Sequence, residues 1–145
     1  DTTTTALYPV MVGATGSNQT PKATTGALSF NAANGALSAN LFIATTGTLS
    51  ASGTAQGNAA SIVKTMTIVN TVSNGANAVI LPTITAGMTV YLINSSANAM
   101  TVFPGSGSQI NSLGANAGFT HVAGAILTYI APSSTQWYTV GATYA

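Results

Sequence analysis

Only three side chains in this 145-residue sequence carry a formal charge: Asp1, Lys22 and Lys64. Ordinary globular chains devote about a quarter of their residues to Asp, Glu, Lys and Arg, whereas here the share is 2%. The surface therefore has to be built from hydroxyls, amides and backbone, and Ala, Thr, Gly, Ser and Asn together supply well over half of the residues. Disorder is signalled by low hydrophobicity combined with high net charge. This chain shows the reverse, with 46% hydrophobic residues, a mean hydropathy of +0.42 and a formal charge of +1. It is expected to fold, and a net charge so close to zero protects it poorly against self-association, so an assembled working state is expected.

The missing charges exclude whole classes of chemistry. A Ser-His-acid triad needs a carboxylate to orient its histidine, and the sole side-chain candidate for His121 is Asp1, at the terminus. Paired-carboxylate hydrolysis and carboxylate calcium sites each need at least two acids. Two lysines 42 positions apart cannot form the basic patch that binds phosphates, so no nucleic-acid partner is expected. The absence of cysteine removes thiolate metal sites and thiol nucleophiles. Gly13-Ala14-Thr15-Gly16 and Gly105-Ser106-Gly107 read as turns, because neither is followed by the Lys-Ser/Thr of a phosphate loop. The most apolar window, 78–93, is broken by Pro82 and Gly87, which excludes a spanning helix. The opening Asp1-Thr2-Thr3-Thr4-Thr5 has neither the basic nor the apolar stretch of a signal peptide. The expectation is a protein that is not an enzyme and that takes no cofactor and no metal.

Apolar runs of four to seven residues, rich in Val, Ile, Thr, Tyr and Phe and separated by Gly/Asn/Ser/Pro clusters, point to an all-β fold. Strands are expected at 65–72, 78–81, 89–94, 100–103, 118–122, 126–131 and 136–140, with a short one at 109–111, and no long helix. The polar connections 73–77, 94–98 and 132–135 read as hairpin loops, so neighbouring strands are expected to be antiparallel. Met88, Val90 and Leu92 share one face of their strand and Thr89, Tyr91 and Ile93 the other. Even the second face is half apolar, and it would need a second subunit or an arm to cover it. The first part of the chain differs. Gly26-Ala27-Leu28-Ser29, Gly35-Ala36-Leu37-Ser38 and Gly47-Thr48-Leu49-Ser50 form a weak internal repeat that implies three short strands, each entered through a glycine turn. The expected organisation is an N-terminal arm or short-strand segment over 1–57, with a linker near 52–60, and a β-sandwich domain over 58–145.

His121, mid-strand in Phe119-Thr120-His121-Val122, is expected to make a cross-strand or inter-subunit hydrogen bond; the sharper alternative is a symmetry-related ring of histidines that binds an ion or senses pH. Six aromatic residues, Tyr91, Phe103, Phe119, Tyr129, Trp137 and Tyr138, lie within predicted strands. They are expected in the core or at a subunit interface, with stacking on sugars as the alternative.

Two stretches carry a resemblance to a known group of proteins. Leu7-Tyr8-Pro9-Val10-Met11-Val12-Gly13, then Gln19-Thr20-Pro21-Lys22, then the run from Leu28 to Ala39 with Phe30-Asn31 and Gly35-Ala36-Leu37-Ser38-Ala39, resemble segments of tailed-bacteriophage fibre and virion proteins. Gly87-Met88-Thr89-Val90-Tyr91-Leu92-Ile93-Asn94, then Met100-Thr101-Val102-Phe103-Pro104-Gly105 through Ile110-Asn111, and Gln136-Trp137-Tyr138, are similar to small phage structural proteins. The resemblance implies trimeric β-structured knobs, cement proteins or fibre modules, and it carries over no catalytic residue. It therefore implies a jelly-roll-like antiparallel β-sandwich, homotrimeric, on the exterior of a phage capsid, that decorates and stabilises the shell through the major capsid protein. The alternative is a receptor-binding tail or head fibre module that recognises host-surface glycans. On this reading Leu7, Tyr8, Val10 and Val12, together with Leu37, Leu41 and Ile43, belong to arm strands that pair or pack against neighbours. Tyr91, Phe103, Tyr129 and Trp137 are core or trimer-seam residues.

Overall fold

The computed structural model describes residues 10–11, 22–23 and 28–141, and within them the chain is all-β, its one helical segment a 3-10 turn at Gln56–Asn58. It divides into two compact units, one ending at Ile43 and the other beginning at Ala44. In the first unit β1 (Val10–Met11) pairs antiparallel with β2 (Lys22–Ala23), and β3 (Leu28–Asn31) with β4 (Ala36–Ala39). Leu7, Tyr8 and Val12 lie outside the described residues. The Asn34-Gly35 pair closes the second hairpin: Gly35 sits at φ 73°, and Asn34 Oδ1 accepts from the Ala36 N–H. Positive φ is reached at no steric cost by glycine alone, which is why the second repeat unit enters its strand here.

The second unit begins with the third repeat unit, which forms β5 (Thr46–Ser50). After the 3-10 turn come β6 (Ala60–Ser61), β7 (Met66–Thr71), β8 (Ala78–Ile80), β9 (Thr89–Asn94) and β10 (Met100–Phe103), then β11 (Gln109–Ile110), β12 (Phe119–His121), β13 (Ile126–Ile130) and β14 (Gln136–Val140). Up to β10 the chain alternates between two sheets. β5, β7 and β9 are parallel neighbours in one sheet, and β6, β8 and β10 are parallel neighbours in the other. The result is three stacked rungs of a β-solenoid. β12 then adds antiparallel to β10, while β13 and β14 add antiparallel beyond β9 and β11 joins β14 in parallel. The finished sheets have the orders β11-β14-β13-β9-β7-β5 and β12-β10-β8-β6.

This arrangement corrects two expectations, the jelly-roll-like sandwich and the antiparallel neighbours. The connections at 73–77 and 94–98 are not hairpins. Each turns a corner from one sheet to the other, so strands consecutive in sequence are not partners. Only 132–135 closes a hairpin, with Ile130 opposite Tyr138. The stretch 52–60 is not a linker either: Ala51 is buried, Ser52 bridges Ala78, and the turn packs beside β8. At its start Gly53 has φ 67°, and a Cβ there would collide with the Asn58 carbonyl oxygen. Asn58 Oδ1 in turn accepts from the N–H groups of Thr54 and Ala55.

The core lies between the two sheets. Val69, Val90, Leu92, Leu127, Tyr129 and Trp137 face inward from the larger sheet, and Val79, Met100 and Val102 from the smaller one. Period-2 alternation sets this up strand by strand. In β9 Val90, Leu92 and Asn94 are buried while Tyr91 is exposed, which matches the division of faces read from the sequence.

Candidate functional site

The inward alternation leaves a second set of side chains on the outer face of the six-stranded sheet. The registers align them in rows across the strands. One row runs Thr48, Ile68, Ile93 and Ile126, and the next Thr46, Met66, Tyr91, Thr128 and Val140; a third places Thr89, Ile130 and Tyr138 side by side. Eight large apolar or aromatic side chains thus form one patch on β7, β9, β13 and β14. Tyr138 is 51% exposed, Val140 58% and Ile126 45%. Hydroxyls and amides from Thr46, Thr48, Asn70 and Gln136 frame it, and none of these five strands carries a charged residue. A soluble monomer rarely leaves so large an apolar patch uncovered. The patch can bury itself against a partner without desolvating any ion.

The far edge of this sheet is held by amides. Asn111, at φ 52°, accepts from the Thr139 N–H through Oδ1 (3.0 Å) and donates from Nδ2 to Thr139 Oγ1 (2.9 Å), so its side chain continues the β11–β14 ladder. Gln136 Nε2 donates to the carbonyls of Asn111 and Trp137, and Gln109 bonds Gln136. Strand length here is set by side chains rather than by backbone.

His121 points inward from β12 and is fully buried. Its ring bonds the Ala125 carbonyl through Nε2 (3.1 Å) and the Tyr129 hydroxyl through Nδ1 (3.0 Å). A carbonyl only accepts, so Nε2 carries the proton and Nδ1 accepts from the Tyr129 O–H. Burial holds the imidazole below its ordinary pKa, opposed by the bond to Ala125, and burial pushes the Tyr129 hydroxyl above its ordinary range. Asn94 braces the same corner: Nδ2 donates to the carbonyls of Asn98, His121 and Val122, and Oδ1 accepts from Ser96. Among the described residues no three His, Cys, Asp or Glu side chains converge on one point.

The residues singled out from the sequence are scattered. Tyr129 and Trp137 are 0% exposed in the core, so neither can form a subunit seam or stack on a sugar, whereas Tyr91 stands on the outer face. Phe103 is half-buried on the outside of the smaller sheet. Leu37, Leu41 and Ile43 are exposed at 54%, 73% and 83%. Ile126, Ile130 and Val140, which with Tyr138 dominate the patch, were read only as strand residues, whereas Tyr138 was among the six aromatics expected in the core or at a subunit interface and stands exposed on the outer face; the alternation that marks them is present in the sequence, but which parity faces out is not. No family model, no curated protein and no solved structure matches this chain.

Proposed function

We propose that this chain is a structural protein of a bacteriophage virion, a decoration or cement protein on the capsid exterior that acts as a homotrimer and binds the major capsid protein. The observation that carries this reading is the uncharged apolar outer face of the six-stranded sheet; the resemblance of the two sequence stretches to phage virion proteins supplies the context. The occupant we assign to that face is an uncharged, apolar surface of the assembled shell, because a neutral face gains nothing from a charged one and would strip it of water. The five strands that carry the face, about 4.8 Å apart and five or six residues long at about 3.3 Å each, give a footprint of about 400 Å². Specific interfaces bury about 800 Å² per partner, so a single contact of this kind is weak. Several copies joined in one oligomer on a symmetric shell make it strong through effective concentration. A protein that binds only the assembled shell adds its binding free energy to that shell, as any ligand of a native state does.

The test is cosedimentation of the purified chain with undecorated shells. Binding is expected to be lost in an Ile130→Lys/Tyr138→Lys variant, and retention of full binding would overturn the reading. Deletion of residues 1–20 tests the arm in the same assay, where unaffected decoration would remove its role. In purified virions quantitative mass spectrometry should find hundreds of copies; a few to a few tens would instead favour the fibre module. That second reading is favoured by Tyr91 and Tyr138, two half-exposed rings among the threonines of one face, which is a surface that can stack on sugars. It predicts glycan binding that is lost in Tyr138→Ala with the fold intact.

A further inference from the structure

We infer that the chain joins to copies of itself by strand addition, β4 of one copy pairing in parallel with the free edge of β5 in the next. β5 ends its sheet and pairs only with β7 among the described residues. Met66 N–H donates to the Thr45 carbonyl and Ala51 N–H to the Thr71 carbonyl, each at 2.9 Å. In a parallel ladder alternate residues face alternate sides, so Thr46 and Thr48 turn their backbone N–H and C=O groups outward. A cleft of about 30 Å³ separates Gly47, Thr48 and Leu49 from Ile62, Val63 and Lys64. Val63 is 78% exposed, while Leu49 packs inward against the core. The Lys64 stem lies over Gly47, and its length allows the ammonium to reach water.

The occupant is identified by the repeat. β5 is Gly47-Thr48-Leu49-Ser50 preceded by Thr46, and β4 carries the same pattern in Gly35-Ala36-Leu37-Ser38. Stacked in register, Leu37 sits over Leu49 as the next rung of the interior column, and Ser38 lies beside Ser50. Leu37 is 54% exposed and stands opposite Phe30, itself 38% exposed, so the hairpin brings an apolar pair to the β5 edge and its cleft. β4 has a free edge, because its sheet holds β3 alone. The partner must be another copy. Only residues 40–45 separate β4 from β5, and a parallel crossover within one chain needs about a dozen or more. The contact is heterologous, donor strand to acceptor edge, and such contacts close into rings or run on as filaments. It does not depend on the identity of the shell.

The experiment is the solution mass of the full chain by analytical ultracentrifugation. Wild type is expected to be oligomeric. Thr48→Pro deletes one outward N–H without touching the β7 ladder, and Leu37→Lys spoils the donor strand; each alone should give monomers. An equal mixture of the two variants should give 1:1 heterodimers, because one donor and one acceptor survive between them. If Thr48→Pro loses its near-ultraviolet Trp137 signal, Leu37→Lys mixed with wild type decides, as chain-terminating shortening of the oligomer. A monomeric wild type, an unchanged mass in both variants, or monomers that fail to pair on mixing would each overturn the inference. Ile130→Lys/Tyr138→Lys should keep the oligomer and lose only the shell, which separates this contact from the outer face.

Discussion

His121 is the residue on which the pH response of this fold turns. Acid unfolding is driven in most proteins by many carboxylates, and this sequence has one, Asp1. The folded imidazole is held below the ordinary value of 6.5, chiefly by burial, so the unfolded chain binds the proton first as pH falls. Stability is therefore complete above about pH 6.5 and declines below it, by at most about 1.4 kcal/mol per pH unit for one proton. Tyr129 works in the opposite sense: its raised pKa keeps the folded hydroxyl neutral, and stability declines as pH rises above about 10, where the unfolded phenol ionises. Urea titrations from pH 4 to 8 on wild type and His121→Gln should show the acid limb in the first and a flat profile in the second. Two further residues are structural pivots. Asn94→Ala leaves several carbonyls at the β9–β12 corner without a donor and should cost about 2–3 kcal/mol. Gly53→Ala meets both a positive φ and the Asn58 backbone, and should cost about 1–3 kcal/mol. Denaturant midpoints check both. That His121 would be a hydrogen-bonded strand residue was legible in the sequence; that its partners would be Tyr129 and Ala125 was not, since neither lies within three positions of it.

At the scale of elements, strand positions were readable and their partners were not. The runs expected at 89–94, 100–103 and 136–140 coincide with β9, β10 and β14, because period-2 alternation and turn residues are local signals. β6 was missed, since Ala60-Ser61 has no β-branched or aromatic residue and is a strand only by pairing with β8. β5 was expected as the third strand of the repeat, but as part of the N-terminal segment. Its residues look like the hairpin repeat that precedes them, yet it belongs to the second unit through β7. Among the described residues every member of the hydrophobic core comes from Leu49 or later. A fragment of residues 44–145 should therefore fold alone, with a cooperative thermal transition and the near-ultraviolet signal of Trp137; non-cooperative melting would show that the first unit is required.

At the scale of the whole molecule, low charge predicts how the protein responds to its solvent. With almost no ion pairs to screen, melting temperature and oligomer mass should stay constant from about 0.05 to 1 M sodium chloride. Ammonium sulfate should raise both, because excluded salts strengthen apolar burial. A melting point that falls steeply across the chloride series would mean that the few charges matter more than their number allows. The sequence by itself determined that the chain is all-β, that its surface is uncharged, and that the second face of strand 89–94 is apolar enough to seek a cover. Composition and alternation are properties of single segments, and they survive whatever partners those segments find. Only the tertiary structure decided that consecutive strands climb between two sheets as solenoid rungs, that Tyr129 and Trp137 turn inward while Tyr91 and Tyr138 turn out, and that β5 ends with an open edge. These are outcomes of pairing between segments 20 or more residues apart, and a one-residue change of register would send each side chain to the opposite face.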